Sequence, residues 1–251
     1  MRVGVLRRRC GVHEQSSLGP PVPPLSDFAP VLARITDRLA RRHRQAFSRA
    51  TVAGYVSECA ALLTGRAVLR RHLAVSVERF ADQRLGALAR ARGLEPKPVA
   101  EVLFVCTENA GRSQLAGALL RRRAGEAVRV ATAGSAPAHE LAPVVSRLLA
   151  EQGLQADGEF CKPLTAEVIE AADVVVTLGC GDVCPVRPGR RYVDWDLPDL
   201  RGLDIESARA VRDTLQRRID RLAAELLPSA GDSAAGHVAD AAGRTSEESA
   251  S

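Results

Sequence analysis

The hydrophobic positions along this chain change period twice, and the changes divide it. Residues 1–26 have no period and close on the proline-rich GPPVPPL run, which predicts a disordered N-terminal segment. Three helical stripes follow. Phe28, Val31, Leu32, Ile35 and Leu39 recur at three- and four-residue steps, and so do Val52, Tyr55, Val56, Cys59, Leu62 and Leu63 behind Ser48 as an N-cap. Leu69, Leu73, Val77, Phe80 and Leu88 make the third stripe. Each helix alone would leave one apolar face in water, so a small three-helix bundle over residues 27–94 is the economical reading.

GLEPKP at 93–98 breaks the helical pattern, and strands then alternate with helices. Strands are expected at 101–105, 128–134, 173–179 and 190–195, and helices at 113–123, 142–152, 163–171 and 205–227. This alternation predicts an α/β fold over 99–228, a four-stranded parallel sheet with helices on both faces. The Ser-, Ala- and Gly-rich tail at 229–251 is expected to be disordered.

Composition adds exclusions. No apolar run approaches the ~18 residues of a membrane span, and MRVGVLRRRC has positive charge without the hydrophobic stretch of a secretory signal. A cytoplasmic protein is expected. Lys97 and Lys162 are the only lysines, and the net charge of +5 is modest and dispersed, which does not call for a nucleic-acid partner. The arginines of the bundle (Arg38, Arg41, Arg42, Arg44, Arg70, Arg71) keep a DNA-binding or docking module open as an alternative. Six cysteines in a chain of 251 residues do not suggest a secreted disulfide scaffold, so their spacing has to assign them.

The spacing singles out VLFVCTENAGRSQLAGALL, residues 102–120. A buried strand ends at Cys106, Arg112 follows six residues later, and Ser113 opens a helix. A loop that ends at a helix N-terminus directs successive backbone N–H groups inward as an anion nest, and the same field favours a thiolate. Arg112 can clamp two oxygens of a tetrahedral oxyanion, Ser113 can donate to the sulfur, and Gly111 lets the backbone approach the ligand. Thr107, Glu108, Asn109, Ala110, Gly111 and Arg112 are therefore the candidate binding loop and Cys106 the candidate nucleophile. Cys184 and Arg190 have the same spacing in CPVRPGR. Pro185 and Pro188 remove backbone donors there, and no strand leads in.

CTENAGRS in this strand–loop–helix context resembles the phosphate loop of low-molecular-weight tyrosine phosphatases. Its TENAGRSQ form is closer to the arsenate reductases of that family. The resemblance covers residues 100–227. It implies that Cys106 attacks the oxyanion, that Arg112 holds it, and that an aspartate on a late loop protonates the leaving group. DWDLPDLRG at 194–202 resembles that loop and maps the acid to Asp199, with Asp196 as the alternative. The family pattern has proline directly after the acid, where this chain has Leu200.

LGCGDVCP at 178–185 resembles the redox segment that arsenate reductases have and ordinary phosphatases lack. Reducing arsenate to arsenite takes two electrons, so a second thiolate must attack the Cys106 sulfur. The resemblance implies that Cys180 makes that attack and that Cys184 resolves the Cys106–Cys180 disulfide and carries oxidation to the surface. The short gap between the two also resembles forms that use the solution thiol mycothiol, in which Cys180 and Cys184 matter less. The expected reductant is thus external, either thioredoxin or mycothiol with mycoredoxin, with no bound cofactor. Arsenate is the expected substrate and phosphate its competitor. Potassium-stabilised relatives carry glutamate where this chain has Gly117, which speaks against a potassium site. Zinc is disfavoured because Cys180 and Cys184 have no second pair, and His139 and Cys161 stand alone. Cys10, Cys59 and Cys161 read as bystanders. Phosphotyrosine hydrolysis is the competing main activity, but phosphatases of this family flank the cleft with aromatics, and Tyr55, Tyr192 and Trp195 as the only Tyr and Trp speak against it; aryl-phosphate hydrolysis is an expected side activity.

Overall fold

A computed structural model describes residues 28–64, 73–155, 159–179 and 184–227. The two termini, Leu69, Arg70, Arg71, Cys10 and Cys180 lie outside the described residues.

Helices α1 (Ala29–Arg42), α2 (Arg49–Thr64) and α3 (Leu73–Ala91) enclose one apolar core that includes Ile35, Leu39, Val52, Val56, Cys59, Val77 and Phe80. Ser48 caps α2 as its sequence suggests, with Oγ accepting from the Thr51 N–H at 3.1 Å. Three surface arginines of the bundle pair with acids: Arg38 with Glu78, Arg42 with Asp82 and Arg49 with Asp37. Such exposed pairs contribute little stability. They lower the net positive charge at those three positions of the bundle surface.

Strands β1 (Ala100–Cys106), β2 (Val128–Gly134), β3 (Val174–Thr177) and β4 (Arg191–Asp194) form one parallel sheet in the order β2-β1-β3-β4. Residues 101–106 of β1 are all buried because both faces of the strand are covered. Val102, Phe104 and Cys106 face the core under α4 (Arg112–Ala124), α5 (Pro143–Glu151) and α7 (Ile205–Leu226). Leu103 and Val105 face the opposite cluster with Ile169 of α6 (Ala166–Ala171). Asp204 caps α7 by accepting from the Ser207 N–H at 2.9 Å. At the start of α4, by contrast, Gly111 gives no side-chain cap, so orphan N–H groups remain at that end.

The bundle is joined to the sheet domain by buried charge. Arg84 of α3 donates to Glu167 of α6 and to Glu58 of α2, with its guanidinium 4.8 Å from the Tyr55 ring centroid. Arg90 pairs with Glu101 at the start of β1. Arg84 and Glu167 are both almost fully buried, so removing one strands the other. Arg84→Ala is expected to cost about 3–5 kcal/mol in urea unfolding, whereas Arg84→Met combined with Glu167→Leu recovers most of the loss. A double variant no more stable than Arg84→Ala would contradict this account of the joint. Among the described residues no helix is long and apolar enough to cross a membrane.

Candidate active site

Cys106 is the last residue of β1, and the chain turns from it through residues 107–111 into α4. Its sulfur is 2.9 Å from Ser113 Oγ and accepts the Asn109 N–H at 3.2 Å. Both partners are fully buried, and the thiol itself is 2% exposed. Asn109 has φ +50, the left-handed conformation that asparagine tolerates better than most residues.

The loop carbonyls are taken up by a strap at 135–142. The N–H groups of Ser135, Ala136, Ala138 and Ala142 donate to the carbonyls of Cys106, Thr107, Glu108 and Ala110, at 3.2, 2.8, 2.8 and 2.9 Å. With those acceptors occupied, the loop amides and the uncapped start of α4 are the groups left to hold an oxyanion. Arg112 is buried and donates through Nη1 to the Leu197 carbonyl at 3.0 Å and through Nη2 to Asp199 Oδ2 at 3.4 Å. Arg201 closes the rim by pairing with Glu108.

The structure thus brings Cys106, Arg112, Ser113 and Asp199 together. Asp199 is half-exposed, with its carboxylate on Arg112 and its other oxygen accepting from the Arg201 N–H at 3.0 Å. Asp196 is exposed, and among the described residues no hydrogen bond or ion pair joins it to Arg112. The Asn109 side chain is engaged within the protein. Its Nδ2 donates to Ser113 Oγ at 2.9 Å, and its Oδ1 accepts from Gln114 Nε2 at 3.1 Å and from the Lys162 N–H at 3.0 Å.

Cys180 lies outside the described residues, but the residues leading to it are placed. Leu178 N–H donates to the Val105 carbonyl at 2.8 Å, one residue before Cys106. A Cβ on Gly179, which has φ +66, would be 2.5 Å from Arg112 Nη1. Cys184 is buried in the cluster with Leu103, Val105 and Val175. Arg190 donates to the Glu170 carbonyl, and the second C-x5-R match builds no anion loop.

At Cys59 and Cys161 burial disfavours the thiolate. Burial pushes Cys59 up to about 11, and burial pushes Cys161 up to about 12, so both stay protonated at neutral pH. Burial also brings the Lys162 ammonium down to about 8. The aromatic residues are engaged elsewhere. Trp195 packs on Phe104 with ring centroids 5.9 Å apart, and the Tyr192 hydroxyl bonds the Pro185 carbonyl at 2.9 Å.

The strap, Gln114, Lys162, Gly134 and Gly179 were not singled out by sequence reasoning. Glycine at 134 and 179 is the one signal that could have pointed to close backbone approach. A Cβ on Gly134 would be 2.8 Å from both Asn109 N and the Thr107 carbonyl oxygen, backbone atoms that cannot rotate away. Gly134→Ala is therefore expected to displace the loop and lower kcat/KM about 100-fold with near-native circular dichroism. Unchanged kinetics would show that the loop tolerates that displacement.

Residues 101–232 match the Low molecular weight phosphotyrosine protein phosphatase family, and residues 32–89 match the Protein-tyrosine-phosphatase-like, N-terminal domain. A solved Corynebacterium glutamicum thioredoxin-dependent arsenate reductase is 42% identical, with a TM-score of 0.73, over 79% of this chain and 98% of that one. An arsenate reductase of Halalkalibacterium halodurans is 33% identical over 132 residues, 49% of this chain and 94% of the relative. A glutaredoxin arsenate reductase of Synechocystis is 29% identical over 131 residues, 50% of this chain and 98% of the relative.

Proposed function

This chain belongs to the low molecular weight phosphotyrosine protein phosphatase family, and from that premise we propose that it reduces arsenate to arsenite with Cys106 as nucleophile. One observation carries the reading beyond a phosphatase. The chain leaves β3 against the nucleophile's own strand, Gly179 lies against Arg112, and the next residue in sequence is a cysteine, Cys180. The relatives named as arsenate reductases support the same reading.

The Cys106 thiolate attacks arsenic(V), an S–As bond forms, and a hydroxyl departs as water with a proton from Asp199. Arg112 and the loop amides hold the remaining oxygens. Cys180 as thiolate then attacks the Cys106 sulfur. The S–As electron pair stays on arsenic, which leaves as arsenite, and the two thiols become a disulfide. Cys184 next attacks Cys180 and frees Cys106, which requires Cys184 to leave the apolar cluster that buries it. An external thiol reductant restores the pair. A thioredoxin- or glutaredoxin-type protein is supported by relatives that carry those names. This chemistry needs a reducing compartment such as the cytoplasm. A mycothiol route, in which a solution thiol replaces Cys180, is the second reading and rests on the short gap between Cys180 and Cys184.

The test is steady-state turnover of arsenate with thioredoxin, thioredoxin reductase and NADPH, beside hydrolysis of para-nitrophenyl phosphate. The expected result is arsenate-dependent NADPH oxidation that Cys180→Ser removes, with a lower kcat/KM for the aryl phosphate. Mycothiol and mycoredoxin supporting turnover of Cys180→Ser would establish the second reading. Phosphate ester hydrolysis alone would return the chain to the phosphatases.

A further inference from the structure

Phe160 belongs to the sheet domain by sequence, yet its ring packs against the core of the bundle. It meets Phe80 of α3 edge-on, with centroids 6.3 Å apart. The backbone around it faces the other way. The Phe160 carbonyl accepts from Gln114 Nε2 at 3.0 Å, and that same amide reaches Asn109 Oδ1 at 3.1 Å. Two residues on, the Lys162 N–H donates to Asn109 Oδ1 at 3.0 Å. The buried Lys162 ammonium lies 4.7 Å from the Phe160 ring centroid, so ring and backbone are held as one unit.

We infer that Phe80 and Phe160 are positioning residues for the nucleophile, and that the N-terminal bundle serves the active site by seating Phe160. This segment is held on one side where the Lys162 carbonyl accepts the Gly134 N–H at 2.9 Å, and on the other by a pin, an aromatic ring in a neighbouring core. The pinned segment holds the side chain of Asn109, and that hold keeps Asn109 at φ +50. In this conformation its N–H meets the Cys106 sulfur at 3.2 Å, and its Nδ2 orients the Ser113 hydroxyl, itself 2.9 Å from that sulfur. Without the pin, Asn109 can relax to negative φ, and the sulfur loses a donor that matters most when it is anionic. Phe80 and Phe160 touch neither the sulfur nor the oxyanion.

The inference rests on Cys106 being the nucleophile and not on arsenate being its substrate, so alkylation tests it directly. In the full chain, Phe160→Ala, Phe80→Leu and a core control, Leu39→Ala, are compared with the wild type. The rate of Cys106 carboxymethylation by iodoacetamide is followed by peptide mapping from pH 5 to 10. Losing one charge-assisted donor should slow Phe160→Ala about tenfold at pH 7 while its rate at high pH stays at the wild-type plateau. Phe80→Leu, which keeps an apolar filler, should fall severalfold, and Phe160→Leu should recover most of the loss. Leu39→Ala should lower the thermal midpoint and leave the pH profile in place. With arsenate, the loss should appear in kcat, with KM nearly unchanged because Arg112 is untouched. Wild-type pH profiles in Phe80→Leu and in folded Phe160→Ala would overturn the inference, as would an equal shift in Leu39→Ala. Should Phe160→Ala fail to fold, the Phe80→Leu profile decides alone.

Discussion

Cys106→Ser is expected to leave no measurable arsenate reduction, a loss of about 10⁴-fold or more, while phosphate still binds. The sulfur has two tasks, and serine fails both. As attacking group it must be anionic near neutral pH, which a hydroxyl in the same hydrogen-bonded position is not. As electron donor it must become half of a disulfide, which oxygen cannot do. The second failure is absolute and sets this variant apart from one in a phosphatase, where only nucleophilicity is lost. The binding groups survive the exchange. Arg112 and the loop around Asn109 are held by Leu197, the strap at 135–142 and Lys162, none of which depends on sulfur chemistry. Phosphate should therefore still raise the thermal midpoint of the variant. Residual turnover above a hundredth of wild type would place the nucleophile elsewhere.

Arg112→Lys is expected to lower kcat/KM for arsenate by about 10²–10³, with the fold intact. Lysine keeps the charge and loses the planar fork. In the structure that fork is fixed from several sides. Nη1 is on the Leu197 carbonyl at 3.0 Å, and Nη2 is 3.4 Å from the Asp199 carboxylate. Gly179 leaves room beside it that any Cβ would fill, at 2.5 Å from Nη1. A lysine ammonium could satisfy at most part of this set and would leave Asp199 without its steering partner. Both KM and kcat should suffer, because the guanidinium binds arsenate in the ground state and gains contacts as charge shifts onto the departing oxygen. Kinetics within threefold of wild type would mean that the loop amides alone carry oxyanion binding.

Much of this was legible in the sequence, for identifiable reasons. The strand–loop–helix around Cys106 combines a fully apolar run, a fixed spacing to Arg112 and a helix start, and those features place Ser113 on the sulfur. The parallel sheet followed from alternating periods, and β2 runs over the residues expected of it, Val128–Gly134. The helix expected over 163–171 is shorter, spanning Ala166–Ala171 after Thr165. Pro163 instead bridges to Gly134 as an extended residue, consistent with the locked φ of proline and its missing N–H. What could not be read were contacts between residues far apart in sequence that share no period. Phe160 reaching Phe80 depends on how two packed units meet, and the strap reaching the loop carbonyls depends on how two loops of the sheet domain come together. In the sequence Asn109 counts through its backbone amide in the binding loop, and the part its side chain plays in holding that loop has no signal there.

The central claim is that arsenate is reduced at Cys106 with electrons from two protein thiols. The most direct measurement is disulfide mapping by mass spectrometry after one turnover of fully reduced chain with arsenate and no added thiol. The expected result is one arsenite released per chain, with a Cys180–Cys184 disulfide or a trapped Cys106–Cys180 one. All thiols still reduced, with arsenate unchanged, would contradict the internal relay.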